Sequence, residues 1–347
     1  MTRSQVNATT QQNNAGALSP IIAGKNFLIN GGFDFWQRGV SFAAAGAATT
    51  STYTADRWNS GAPSNITISR VSGTTDGTLY ALRIQKNATT TTGGDAFVCQ
   101  TIESNNAILL SGKTVTLSFN VRKGTDFSGN GVYSILRFGT GTDEGSNSGY
   151  NGAWATYTQS MATVSPTSNM VNYQKTFSVP SGTKEIMVLM GVQSFPNGTA
   201  AGTNDWVEFE KIQLEVGPVA TPFSRAGGTI AGELAACQRY YWRTSSNQLF
   251  GIYGIGFGRA SGTSADILIN APVTMRAVPQ GNPIDYGNLA LSTPGSTATS
   301  ITGITLTDEA TYNVGAVNVT ASVTSGKVYF LGNNNNASGY IAFSAEL

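Results

Sequence analysis

The sequence predicts an all-β protein: a jelly-roll β-sandwich followed by a short helix and a smaller C-terminal β domain. Three observations carry this expectation. Between residues 65 and 216, short runs alternate apolar and polar residues, the period of strands that bury one face. Turn residues separate these runs, and a helical period surfaces convincingly only near residue 230. Glycine supplies 41 of 347 residues, against an average share of about 7%. Many short strands joined by glycine-rich turns pack as sandwiches or jelly rolls.

Residues 1–25 are rich in Asn, Gln and Thr and show no period. Such a segment cannot bury enough apolar surface to fold alone. From Asn26 the chain changes: NFLINGGFDFWQRG sets four aromatics in a glycine-containing stretch. A module over 26–225 follows. Its strand candidates are Asn65–Val71, Leu79–Ile84, Ala96–Ile102, Thr114–Val121, Val132–Phe138, Val171–Val179, Glu185–Val192 and Trp206–Val216. Alternation is cleanest in TVTLSFNV, where Val115, Leu117, Phe119 and Val121 share one face.

Ala226-Gly227-Gly228 breaks the pattern and opens a connecting segment, 226–243. The spacing of Ile230, Leu234, Cys237 and Tyr241 predicts a helix over Thr229–Arg243, with Thr229 as its cap. Residues 244–347 return to β-like runs and form the second domain. Phe250, Ile252, Ile255 and Phe257 alternate with one slip at Tyr253-Gly254, which predicts a bulge. Ala265–Asn270, Ile301–Leu306, Val317–Val323 and Lys327–Leu331 are further strand candidates.

Charged residues make up 11% of the chain, where soluble domains carry about 25%. A polar but weakly charged surface suits contact with neutral sugars or with copies of the chain. The net charge is +1 with Lys and Arg scattered, so no nucleic-acid partner is expected. No apolar run reaches the ~18 residues of a membrane span, so no membrane insertion is expected. MTRSQVNATTQQNNAG lacks the apolar core of a secretory signal, which predicts folding in the cytoplasm. Cys99 and Cys237 have apolar neighbours and read as buried free thiols, with a disulfide as the alternative. The absence of histidine excludes a Ser–His–Asp triad and a His-ligated zinc.

Two segments carry a family resemblance. NFLINGGFDFWQRG followed by YTADRW, within 26–58, resembles the opening of jelly-roll modules in bacteriophage tail fibre proteins. QLEVGPVATPFSRAGG followed by ELAACQRYYW, at 213–242, resembles the end of that module and its following helix. The marks bracket 26–242; the Ala43–Thr50 loop departs by its richness in alanine. The resemblance implies a virion fibre protein with a carbohydrate-binding-module-like domain, made in the bacterial cytoplasm. It implies a homotrimer that docks on another virion structural protein through residues 1–25 and binds host surface polysaccharide. The helix has apolar residues on more than one side, and the small C-terminal domain leaves strand edges open, which also favours self-association. A head fibre or decoration protein without a ligand is one alternative, and a glycan depolymerase is another.

Trp36, Arg38, Asp56, Arg57, Trp58, Gln238, Arg239, Tyr240 and Tyr241 read as architecture. Asp56 and Arg57 are expected to pair and Arg38 to stack on Trp36. Gln238 and Arg239 face outward while Tyr240 and Tyr241 pack on the module. The expected ligand loop, 139–158, offers Asp143, Asn147, Tyr150, Asn151, Trp154 and Tyr157. Aromatic faces stack on sugar rings while amides and carboxylates fix hydroxyls. Alternatively, Trp154 and Tyr157 belong to the core or a subunit contact. Glu208 and Glu210 share a strand face about 7 Å apart, near the spacing of glycoside hydrolysis. Any strand face can show two glutamates, so the chain is read as a non-enzyme. No cofactor is expected. Jelly-roll sugar modules often hold a structural calcium, for which Asp76, Asp205 and Glu208 offer oxygens without a ligand spacing.

Overall fold

A computed structural model describes residues 24–43, 52–62, 65–141, 154, 157–279, 284–293 and 298–347. The N-terminal body is built from β1 (Ser41–Ala43), β2 (Thr52–Tyr53), β3 (Asn59–Gly61), β4 (Ile66–Ser72), β5 (Tyr80–Lys86), β6 (Gly94–Ile102), β7 (Thr114–Lys123), β8 (Gly131–Gly139), β9 (Tyr157–Val164), β10 (Val171–Ser178), β11 (Glu185–Phe195) and β12 (Trp206–Val216). A short helix, α1 (Ser104–Ala107), lies between β6 and β7. The strands form two six-stranded antiparallel sheets, ordered β1-β4-β5-β12-β7-β10 and β2-β3-β6-β11-β8-β9. The chain is all-β, and this body is a jelly-roll sandwich.

Alternation builds its core. Val115, Leu117, Phe119 and Val121 of β7 meet Val132, Leu136, Ile186 and Val188 of the other sheet in one buried cluster. In β12 the register shifts between Glu210 and Gln213, with Lys211 at φ +53°. The extra residue lets Phe209 and Ile212, three apart, both face inward and both be fully buried.

After the body comes α2 (Ile230–Gln238), capped by the Thr229 hydroxyl, which accepts from the Gly232 N–H. The helix is shorter than its period predicts. Tyr241, Trp242 and Arg243 instead open β13 (Tyr241–Ser245), paired with a late strand at residues 340–344. Aromatic residues favour strands, and a distant partner offering a full ladder outweighs four residues of helical spacing.

The C-terminal region continues with β14 (Ile252–Gly258), β15 (Ser264–Asn270), β16 (Ile284–Gly287), β17 (Leu289–Ser292), β18 (Thr299–Ser300), β19 (Gly303–Leu306), β20 (Val314–Thr320), β21 (Val328–Asn333) and β22 (Tyr340–Ser344). They make a three-stranded sheet, β13-β22-β16, and a seven-stranded sheet, β18-β17-β21-β14-β15-β20-β19. Trp242, Ile341 and Phe343 of the smaller sheet pack with Ile267, Val317 and Leu331 of the larger. The register slip expected at Tyr253-Gly254 is present between Ile252 and Gly254.

Candidate functional site

The second sheet of the body departs from the ordinary pattern of one buried and one wet face. Inward-facing Val98, Leu136, Ile186 and Val188 belong to the main core. The alternate residues, Phe97, Cys99, Tyr133, Met187 and Leu189, point the other way and are buried too. An antiparallel sheet that is apolar on both faces has something covering its outer side. Part of the cover is Trp154, which is buried in this second cluster. A Cβ on Gly139 would lie 2.8 Å from Trp154 Cε3, so the glycine is the seat of the indole. Glu185 beside it accepts from the Gly141 N–H at 3.1 Å.

Next to this cluster the same face carries a cleft of about 420 Å3, lined by Asp95, Phe97, Tyr133, Ile135, Arg137, Met161, Leu189 and Gln193. That volume falls within the range of small-ligand sites. Strand register explains the lining. Phe97 is level with Gly191 on the neighbouring strand, and Gly191 with Tyr133 on the next. Two aromatics therefore flank a glycine, about 10 Å apart from strand to strand. On its far side Phe97 lies over Gly61, where a Cβ would come within 2.3 Å of the ring's Cζ. The polar groups sit at the margins. A bulge after Val192 sets Ser194 at φ +47°, and the Ser194 N–H donates to Asp95 Oδ1 at 2.8 Å. Arg137 Nε donates to Gln159 Oε1 at 3.3 Å, with its guanidinium 5.2 Å from the Tyr157 ring centre. Met161 and Tyr157 are exposed. Burial pushes the Cys99 thiol beneath this face up to about 12.

Of the loop residues named from sequence, Asp143, Asn147, Tyr150 and Asn151 lie outside the described residues. Trp154 is packed into the apolar cluster and does not present an open ring. Tyr157 begins a strand, β9, where the sequence reading placed a loop. The cleft residues Asp95, Phe97, Tyr133, Arg137, Met161, Leu189 and Gln193 were not among the sequence candidates. Their signal was present: AFVCQTI and IMVLM are apolar at both parities, the mark of strands covered on two sides.

The carboxylates of β12 are committed elsewhere. Glu208 Oε1 accepts from Arg83 Nε at 2.9 Å and Oε2 from Arg122 Nε at 2.6 Å. Glu210 accepts from the Thr74 N–H and from the Thr74 and Thr75 hydroxyls. Both are buried on the first sheet, away from the cleft. Asp205 accepts from the Ser128 N–H at 2.8 Å and hydroxyl at 2.6 Å, and Asp76 is exposed in a turn. Asp76, Asp205 and Glu208 do not converge, and no cluster of three Cys, Asp or Glu suited to a metal occurs among the described residues.

The residues read as architecture gather where the body meets the C-terminal sheets, with two corrections. Arg57 pairs with Glu346 and not with Asp56, whose carboxylate accepts instead from the Gln37 N–H at 2.9 Å and side-chain amide at 2.6 Å. Arg57 adopts φ +70°, in the left-handed region. Arg38 lies 3.5 Å from the ring centre of Tyr241 and pairs with Glu346 at 3.1 Å, while Trp36 stacks on Phe42. Arg57 lies 3.6 Å over Tyr240. Burial opposes the charge on Arg57, but Glu346 and the tyrosines outweigh it and hold its pKa above the ordinary value. Trp58 is fully buried with its Nε1 donating to the Asn30 carbonyl. Arg239 pairs with Glu103 at 3.1 Å, and Gln238 is half-buried. Cys99 and Cys237 are buried and unbonded.

No protein-family model and no curated protein matches the chain. Solved structures with a similar fold include the CBM22-1 xylan-binding domain from Paenibacillus barcinonensis Xyn10C, 12% identical, covering 52% of this chain and 100% of that one with a TM-score of 0.31. A family 61 carbohydrate-binding module solved with β-1,4-galactotriose is 15% identical, covers 55% and 99%, and has a TM-score of 0.32. The enzymatically active domain of bacteriophage CBA120 tailspike protein 4 is 12% identical over 55% of this chain and 21% of that one, with a TM-score of 0.35.

Proposed function

We propose that this chain is a non-catalytic attachment protein of a phage virion that binds host surface glycan in the cleft on the outer face of the second sheet. The observation that carries the reading is that cleft. It joins an apolar floor containing two aromatics to marginal Asp95, Arg137 and Gln193. A sugar presents both an apolar ring face and a fringe of hydroxyls, and this lining answers each. Hydrolysis of a glycosidic bond needs two carboxylates, and the lining supplies one, Asp95. The resemblance of 26–58 and 213–242 to phage fibre proteins supports the virion role, with residues 1–25 as the segment that docks on another structural protein.

Calorimetric titration with host envelope polysaccharide tests the site. Arg137→Ala and Gln193→Ala stand at the margin and leave the core intact. Each is expected to weaken binding by about 1–3 kcal/mol, the worth of hydrogen bonds to hydroxyls. The polysaccharide should keep its length on prolonged incubation. Unchanged affinity in both folded variants would place the site elsewhere, and shortened product would make the chain a depolymerase.

A further inference from the structure

The first sheet of the body carries a charged group on the face turned away from the core. Leu82, Ile84, Val121, Val207 and Phe209 of β5, β7 and β12 belong to the main core, so the alternate residues Arg83, Arg122 and Glu208 stand on the other face. Strand register sets these three level. Glu208 lies opposite Arg83 on one neighbouring strand and opposite Arg122 on the other. The row runs on through Ser69 of β4 and Ser41 of β1. It crosses five strands, about 19 Å at the ordinary spacing between strands.

The two guanidiniums are fixed but not saturated. The Glu208 side chain is wholly buried, while those of Arg83 and Arg122 keep 26 and 27% exposure. Arg83 gives Nε and Nη2 to Glu208 Oε1, and Arg122 gives Nε to Oε2. Arg83 Nη1 and both Nη groups of Arg122 are left without a hydrogen-bond partner among the described residues. Trp206, level with Gln85 in the next row, steadies both side chains: their guanidinium carbons lie 4.4 and 5.5 Å from its ring centre. The indole is itself seated on Gly124, where a Cβ would come 2.7 Å from Cε2. Side chains already held in place lose little entropy when a ligand arrives. The carboxylates next along the chain are engaged by other groups. Glu210 is buried against Thr74 and Thr75, and Asp126 accepts from the Asn204 N–H at 2.8 Å and the Thr125 hydroxyl at 3.2 Å.

We propose that Arg83 and Arg122 form a second binding site, which takes the carboxylate of an acidic sugar. Two guanidiniums against one carboxylate leave one positive charge in excess within the triad. Their planar N–H edges match a planar oxyanion. The neighbours on the same face favour a sugar over a bare anion. Ser41, Ser69 and Thr67 add hydroxyls, and Gln85, level with Thr67, adds an amide. Gln85 Nε2 donates to the Thr203 carbonyl at 2.9 Å, which leaves its Oε1 to accept from a sugar hydroxyl. This site lies on the opposite sheet from the cleft. It rests on the glycan-binding reading only for the choice of a sugar; the cationic contacts stand without it.

Calorimetric titration of the full chain with the trimer of galacturonic acid tests this. The acidic trimer should bind at low salt, and the neutral galactose trimer should not. At about 1 M salt, where charges are screened beyond about 3 Å, binding should fall at least tenfold. Arg83→Lys and Arg122→Lys keep a charge against Glu208 but lose the planar fork. Each should weaken binding about tenfold with unchanged circular dichroism. Lys175→Gln removes an exposed cation from β10, the edge strand of the same sheet, and should leave the affinity as it is. Absence of trimer binding overturns the proposal, as does equal binding of the neutral trimer or unchanged affinity in both folded lysine variants. Inorganic phosphate that binds as tightly as the trimer would assign the pair to a free anion and overturn the sugar. The wild-type titrations decide even where a lysine variant fails to fold. The acidic trimer reads the arginine pair and host polysaccharide with Arg137→Ala reads the cleft, so either reading can fail alone.

Discussion

Asp56 is an acid that the fold keeps from water. Burial is the main cause of its raised pKa, about 6 against an ordinary 3.8, partly offset by hydrogen bonds from Gln37 and the charge of Arg38. The consequence for stability has a definite sign. Below pH 3.8 Asp56 is protonated in both folded and unfolded states and costs nothing. Between 3.8 and about 6 the unfolded chain releases the proton while the folded chain keeps it, so stability falls as pH rises. Above 6 the loss is complete, at roughly 3 kcal/mol for a shift of this size. Urea unfolding across this window should show the decline, and Asp56→Asn should flatten it. An equal slope in the variant would mean that the carboxyl is not the group responsible. Arg57, its neighbour, shows the opposite case, a buried charge kept ionised by a counter-charge and two rings.

At the scale of the element, β14 inverts the usual value of its residues. Glycine weakens a strand in general because it brings no side chain. Here Gly256 is required, since a methyl group would sit 1.7 Å from the Asp266 carbonyl oxygen and force β14 from β15. Gly256→Ala is expected to destabilise the C-terminal sheet by about 3 kcal/mol or more, in the range of overpacked cores. Thermal unfolding followed by circular dichroism reads this directly; a Tm within a degree of wild type would contradict it. The helix α2 is likewise held by contacts outside its own turn. Glu233 accepts from the Gly227 N–H and reaches out of the helix to the Asn30 N–H at 2.5 Å. One side chain thus ties the start of the body to the segment after its last strand.

At the scale of the whole molecule, Glu346 is the clasp between the body and the C-terminal sheets. It pairs with Arg38 and Arg57 of the body, while the Ala345 N–H donates to the Tyr240 carbonyl and Arg276 holds the Ala345 carbonyl at 2.9 Å. Tyr53 reaches from the body to the Leu347 carbonyl at 2.8 Å. Removing one partner of a buried ion pair costs about 3–5 kcal/mol, because the remaining charge stays buried. Differential scanning calorimetry of the wild type should give one unfolding transition. Glu346→Gln should give two, as the C-terminal sheets lose their tie to the body. A single transition at the wild-type Tm would mean that packing alone couples them.

What the sequence determined by itself is whatever local period encodes. Alternation in TVTLSFNV announced a strand and its buried face, the slip at Tyr253-Gly254 announced a bulge, and the all-β class followed from their number. Thr229 announced a helix start because a cap acts within three residues. Tertiary structure decided the rest. Tyr241 and Trp242 became strand because β22, about a hundred residues away, offered a ladder. Arg57 found Glu346 in place of the adjacent Asp56. The cleft was hidden for the same reason. Asp95, Tyr133, Arg137 and Gln193 come from three strands and mean nothing together until β6, β11 and β8 are laid side by side. Periodicity records which face of a strand is buried, but the choice of neighbours depends on pairings whose loop-closure entropy only the whole fold repays.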